Sequence, residues 1–271
     1  MKIGLALSGG AARGMAHVGV LRALVENGIP IDCIAGTSAG SIVGGAFAAG
    51  LSVDEIAEFG RQLRWRDIGR VTMSRLGVQS NERLEQYMRA RLPVTTFEDL
   101  AIPFAAVATD LRTGEAVVLK GEGDVPFAIR ASCTIPGWYV PVLDQEGRQL
   151  VDGGLVAVVP ASVTRSLGCD LVIAVDVNSE GATFITPSSS VIGVLLQSMM
   201  VVQKTASRRQ LEMSDLVISP KVGHIRWDEM GRADELMAAG YKVGLESIPK
   251  IRALMNMDLF QISADPVLKS V

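Results

Sequence analysis

Six elements are packed into residues 1–50, and their order leaves few folds open. Ile3 to Leu7 is an unbroken apolar run, Ser8-Gly9-Gly10-Ala11-Ala12-Arg13-Gly14 interrupts it, and a helix is expected over 15–26. That helix aligns Val18, Leu21, Leu24 and Val25 on one stripe, and Asn27-Gly28 stops it. A second apolar strand over 31–35 runs into Gly36-Thr37-Ser38-Ala39-Gly40 and a small-residue helix over 41–50. Strand, glycine loop, helix, strand, turn, helix is the pattern of a right-handed βαβ unit. The expected class is therefore α/β with a mostly parallel sheet.

The turn has a chemical reading. Gly-x-Ser-x-Gly between a strand and a helix is the nucleophile elbow, a strained turn that lifts a serine hydroxyl above the sheet. Gly36 and Gly40, each two residues from Ser38, lack the Cβ atoms that would keep strand and helix apart. A serine needs a base to become a nucleophile, and the chain has two histidines. His17, beside the glycine loop, reads as a structural hydrogen-bonding group. His224, within Val222-Gly223-His224-Ile225-Arg226-Trp227, could complete a Ser-Asp-His order.

Two further stretches bear on the same chemistry. Val151-Asp152-Gly153-Gly154 puts a carboxylate at the end of a short strand over 148–151. Open α/β sheets bind ligands at the carboxyl ends of their strands, although Asp-Gly-Gly alone also makes a plain turn. The glycine loop after the first strand presents amides at a helix start, which suit an oxyanion. Arg13 could orient that loop or add charge beside it. A dinucleotide fingerprint is the rival reading, since Asp32 lies 23 residues past Gly9. Against it, Ala11 replaces the middle glycine and the elbow occupies the next loop.

Composition narrows the class further. With 271 residues, 48% of them hydrophobic, the chain can bury the core of one large domain. A net charge of −3 with scattered Lys and Arg gives no footprint for nucleic acid. Cys33, Cys133 and Cys169 are odd in number and far apart, so neither zinc nor a disulfide framework is expected, and a reducing cytoplasm fits best. The longest apolar stretch, 191–202, is too short to cross a bilayer, and the N-terminal run reads as a strand rather than a signal sequence. Helices are expected over 53–64, 81–91, 125–131, 161–167, 191–213 and 233–255. Between the first two, 64–70 reads as a basic loop. Residues 104–109 and 116–119 read as a hairpin, 171–177 and 216–219 as strands, and 179–190 as a small-residue loop.

Gly9-Gly10-Ala11-Ala12-Arg13-Gly14, Gly36-Thr37-Ser38-Ala39-Gly40 and Asp152-Gly153-Gly154, in this order on these elements, resemble the patatin-like phospholipase family, most of all its small bacterial cytoplasmic members. The hairpin around Asp110 and the run Ala131-Ser132-Cys133-Thr134-Ile135-Pro136-Gly137 extend the likeness to about residue 177. The resemblance implies a patatin-like, three-layer α/β/α fold with a mostly parallel central sheet, as a single domain over 1–271. It implies a Ser-Asp dyad, with Ser38 as nucleophile and Asp152 as base, and an oxyanion hole from Gly9, Gly10, Ala11, Ala12 and Arg13. Ala11 departs from the family's usual glycine and bears on substrate size.

The expected function is a serine acyl-ester hydrolase acting through an acyl-enzyme on a lipid or acyl ester, with no cofactor and no metal. Acyl transfer, or a non-catalytic regulatory role on the same fold, is the alternative. Trp65, Trp138, Tyr139, Phe184, Met199 and Met200 are candidate substrate or membrane contacts. Residues 179–202 are a candidate mobile lid or a subunit interface of a homo-oligomer. Contact with a membrane surface is expected to be transient, and the location cytoplasmic or peripheral to the inner face of the membrane.

Overall fold

The apolar runs become strands buried along their whole length. In chain order the elements are β1 (Ile3–Leu7), α1 (Met15–Glu26), β2 (Cys33–Thr37), α2 (Ala39–Ala48), α3 (Val53–Gln62), α4 (Trp65–Ile68), β3 (Arg70–Val71), β4 (Gly77–Ser80) and α5 (Glu82–Arg89). There follow β5 (Phe104–Asp110), β6 (Ala116–Lys120), α6 (Val125–Ser132), β7 (Gly137–Tyr139), β8 (Val142–Leu143), β9 (Gln149–Asp152), α7 (Ala161–Ser166), β10 (Leu171–Val175), α8 (Val191–Leu211), β11 (Leu216–Ile218) and α9 (Ala233–Ala264). This computed structural model describes residues 1–179 and 191–264. Residues 180–190 of the candidate lid, with Phe184, lie outside the described residues.

Side-chain alternation along the strands builds two cores. Ile3, Leu5, Leu7, Ile34, Ile173 and Val175 face one way, onto Leu21 and Leu24 of α1, Val43 of α2 and Ile251 of α9. Ala6, Cys33, Val172 and Ala174 face the other way, onto Val158, Val159 and Ala161 at the start of α7. A sheet covered on both faces needs mostly apolar strands buried along their length, which is what β1, β2, β5 and β10 supply. The result is three layers, helix, sheet and helix.

The large sheet runs β11-β10-β1-β2-β5-β9-β8, with β6 also paired to β5. It is parallel from β11 to β5 and antiparallel beyond. The register at β5 positions the site. β6 occupies one edge of β5 from Ala105 to Thr109. On the opposite edge β2 pairs as far as Thr37↔Val107, and β9 arrives at the next residue, Ala108↔Asp152. Ser38 follows Thr37 directly, so the serine and the aspartate emerge at neighbouring points of one strand edge.

Three expectations need correction. The basic stretch 64–70 is not a plain loop: it holds α4 and opens a second, three-stranded sheet ordered β3-β4-β7. The junction of β2 and α2 lies about two residues from where apolarity alone sets it, which puts Ser38 at the point of the turn. Cys33 and Cys169, expected to be unpaired, meet sulfur to sulfur across Gly4 with Cα atoms 7.0 Å apart. Sheet neighbours set by topology bring residues 136 apart in sequence to one place, and spacing along the chain carries no trace of it.

Gly36 and Gly40 let α2 cross hard against the sheet. A Cβ on Gly36 would collide with the Gly40 carbonyl, and one on Gly40 with the carbonyl of Leu7 on β1. Gly40→Ala should therefore lose about 1–3 kcal/mol of stability, read by denaturant unfolding. Gly231→Ala, where open space surrounds the new methyl, should be neutral.

Candidate active site

Ser38 sits at φ 51°, ψ −121°, one of two non-glycine residues with positive φ among those described. Such a conformation costs on the order of 1–3 kcal/mol and persists only where its surroundings enforce it. The Ser38 amide donates to Ser132 Oγ at 2.8 Å, and that hydroxyl donates in turn to the Val107 carbonyl at 2.6 Å. The Ser38 carbonyl accepts from the Ser41 amide at 2.8 Å and from the Ser41 hydroxyl at 2.6 Å. The elbow is thus clamped from α6, β5 and α2 together.

Asp152 ends β9 with its backbone tied on both sides. Its amide donates to the Thr134 carbonyl at 2.8 Å, and its carbonyl accepts from Thr109 Oγ1 at 2.9 Å. Oδ1 accepts from the Gly154 amide at 2.7 Å, and the carboxyl group shares a cleft with Ser38. Burial disfavours the carboxylate and pushes its pKa up to about 6, partly offset by the nearby Ser38 hydroxyl and the Gly154 amide. Cys133, buried beside Ser41, is pushed far above the ordinary thiol range by burial and then by the Asp152 charge, so it stays a thiol.

Neither histidine joins this pair. His17 is fully buried, its Nε2 donates to the Ser8 carbonyl at 2.8 Å, and its Nδ1 has no partner among the described residues. Burial lowers its pKa to about 4, which keeps it neutral. His224 is exposed and bonds Glu235 at 2.9 Å on the surface. The Ser-Asp-His order left open by the sequence is not assembled.

The glycine loop lies against the serine, for a Cβ on Gly9 would touch that of Ser38 at 3.4 Å. Backbone bonding divides its five residues. The Gly9 amide donates to the Val158 carbonyl at 3.0 Å, Ala12 to Trp227 at 2.9 Å and Arg13 to Gly10 at 3.1 Å. Only the amides of Gly10 and Ala11 remain without a partner among the described residues, and both residues line the cleft at Ser38. Gly10 must lack a side chain, since a Cβ there would strike Val177. Ala11, at φ 47°, is the second non-glycine residue with positive φ. Arg13 adds no charge at the serine: its guanidinium is buried and donates to the carbonyls of Ile225 at 2.7 Å and Gly223 at 3.1 Å.

Two cavities meet at Ser38, Ala11 and Ile135. One holds Asp152 and carries Asn178, Gln203 and Lys204 beside Leu196, Met199 and Met200 of α8. The other is almost wholly apolar and runs past Ile42, Phe59, Leu63, Trp65, Ile68 and Leu84. Trp227 lines the first and Trp65 the second, and their rings meet edge to face at 5.7 Å. Of the candidate contacts, Trp65, Tyr139, Met199 and Met200 line these cavities and Trp138 does not. Ser132, Thr109, Thr134 and the carbonyls of Val158 and Trp227 had no individual signal in the sequence, apart from the 131–137 run as a whole.

A serine at a strained strand-to-helix turn, a buried aspartate and two amides without a partner among the described residues thus share one cleft of an α/β protein. The family model for patatin-like phospholipase matches residues 5–165, and the chain belongs to that family. An uncharacterised NTE family protein of Mycobacterium tuberculosis is 40% identical over 184 residues, covering 67% of this chain and 50% of that protein. The lysophospholipase NTE1 of Mycosarcoma maydis is 38% identical over 187 residues, covering 66% of this chain and 10% of that protein. The chain thus spans half or less of the length of these relatives. Among solved structures, VipD of Legionella pneumophila shares the fold at a TM-score of 0.55 and 14% identity, over 90% of this chain and 65% of that one. Among the described residues no helix is long and apolar enough to cross a membrane.

Ser132→Ala should leave the Ser38 amide and the Val107 carbonyl without their shared partner. A loss of about 1–3 kcal/mol in unfolding free energy is expected. A fall in kcat with little change in KM on a soluble ester should accompany it.

Proposed function

We propose that the chain is a serine acyl hydrolase that cleaves lipid or related acyl esters through an acyl-enzyme on Ser38. The observation that carries this reading is the convergence of the strained Ser38, the buried Asp152 and the amides of Gly10 and Ala11 on one cleft, at the junction of a polar and an apolar cavity. The family's printed description and the fungal relative's name, a lysophospholipase, point to the same substrate class.

In the proposed reaction the acyl chain lies in the apolar cavity and the leaving alcohol on the side of Gln203 and Lys204. Ser38 Oγ bonds to the ester carbon as its proton passes to Asp152, and the carbonyl electrons move onto oxygen. The amides of Gly10 and Ala11 receive that oxyanion. The tetrahedral adduct collapses, the C–O bond to the alcohol breaks, and Asp152 returns the proton to the leaving oxygen. Water then attacks the acyl-Ser38 ester, again giving its proton to Asp152, and the acid departs as Ser38 regains its hydrogen. An aspartate near its ordinary pKa would be a weak base for an alcohol. Burial narrows the gap, and the Gly154 amide holds the carboxyl group in place.

Three outcomes are expected. Ser38→Ala should abolish turnover of a chromogenic short-chain ester and labelling by a fluorophosphonate, while His224→Ala keeps both; activity retained without the serine hydroxyl would end the proposal. The pH profile follows from Asp152, which must be ionised to act: kcat/KM should rise with unit slope to a plateau above about pH 6. Stability runs the opposite way. The folded pKa is raised from 3.8 to about 6, so the folded state binds the extra proton in that window and loses stability as pH rises through it. Asp152→Asn should therefore be inactive yet more stable above pH 6, by on the order of 3 kcal/mol, with no gain below pH 4.

A further inference from the structure

The hairpin of β3 and β4 carries a surface that the acyl-transfer chemistry does not use. At its tip Val71 is 73% exposed, Leu76 57% exposed and Met73 wholly so. The turn closes through the Thr72 amide, which donates to the Val78 carbonyl at 3.1 Å, so these side chains stand on an ordered loop. Arg70 and Arg75 flank them, both exposed and neither in an ion pair with any described residue. Residues 64–83 carry five arginines against Asp67 and Glu82, a local excess of positive charge in a chain of net charge −3.

The stem of the hairpin is flanked by residues that line the apolar cavity. β4 pairs with β7 through Gly77↔Gly137 and Gln79↔Tyr139, and Tyr139 lines that cavity. Trp65 and Ile68, from the α4 that leads into β3, line it as well. Two exposed arginines beside a few projecting apolar side chains match the interface of an anionic bilayer: apolar groups enter the acyl boundary while guanidinium groups meet the phosphates. A protein partner is a poorer fit. β3, only two residues long, offers little edge for strand pairing.

We infer that the 70–80 hairpin is a docking element for anionic phospholipid membranes, set beside the apolar cavity so that an acyl chain can pass from bilayer to site. The passage of the chain rests on the acyl-hydrolase reading; the docking does not. Vesicle co-sedimentation of the intact chain tests it, with phosphatidylcholine–phosphatidylglycerol vesicles set against phosphatidylcholine alone. The wild-type chain should sediment with the mixed vesicles and far less with the neutral ones. The combined variant Val71→Ser, Met73→Ser, Leu76→Ser should weaken that binding by more than about tenfold. Arg70→Ala and Arg75→Ala should each cost roughly fivefold, on mixed vesicles only. Hydrolysis of a soluble short-chain ester should be unchanged in all three, which separates loss of docking from failure of the catalytic reading. Wild-type indifference to the mixed vesicles would overturn the inference. So would a loss of binding caused only by Leu195→Ser and Val201→Ser on the exposed face of α8.

Discussion

One edge of β5 is long enough for two strands, and the site depends on how they divide it. β2 holds the edge through Val107 and β9 takes it from Ala108, so the turn out of β2 and the end of β9 meet without a gap. Ser38 and Asp152 are 114 positions apart in sequence, yet backbone ladders fix both to the same strand. A loop could not hold two side chains in such register, because each loop residue adds freedom that holding them together would have to remove. The small residues Ala105, Ala106 and Ala108 keep β5 buried while helices press on both faces. That burial in turn surrounds Asp152 with apolar matter and lifts its proton affinity toward what the proposed chemistry needs.

The second half of the site is held from the far end of the chain. The segment Val222 to Trp227 supplies carbonyls to the glycine loop: Gly223 and Ile225 to the Arg13 guanidinium, and Trp227 to the Ala12 amide. The one histidine in that segment points to Glu235 at the surface, so the stretch serves as scaffold and not as a source of base. From the other side Asn178 Nδ2 donates to the Gly9 carbonyl at 2.6 Å, and His17 donates to that of Ser8. These bonds use the loop's outer groups and leave the Gly10 and Ala11 amides over. In the proposed reaction, donors fixed before the substrate arrives would need no reorganisation.

Much of this was legible in the sequence, and the reason is physical. Strands buried on both faces must be mostly apolar, so β1, β2, β5 and β10 announce themselves, and the glycines at 36 and 40 mark the close crossing of α2. The short sheet β3-β4-β7 was not legible, since strands of two to four half-exposed residues have no alternation to detect. Nor was the division of labour within residues 9–13. Which amide is spent and which is left depends on carbonyls at 158 and 227, and no local pattern records that. Ser132 is a lone serine at the end of a helix until β5 and the elbow close around it. The meeting of Cys33 and Cys169 likewise exists only once β1 lies between them with a glycine at the crossing point.

Strain and catalysis coincide in a way that narrows what Ala11 does. The two non-glycine residues with positive φ among those described, Ala11 and Ser38, both line the two cavities where these meet. A left-handed alanine costs on the order of 1 kcal/mol that glycine at the same position would not. Its methyl group occupies space at the junction where the proposed acyl carbon would sit, and it also limits the loop's freedom before folding. The gain from restricting the unfolded chain and the cost of the left-handed angle are similar in size, so stability alone gives little reason to prefer either residue. What separates them is shape at the reacting centre: the methyl narrows the passage between the polar and apolar cavities, where a glycine would leave it wide. In the proposed reaction, Ala11 would set how bulky an acyl group can lie at Ser38, while its amide, common to both residues, would leave the chemistry unchanged.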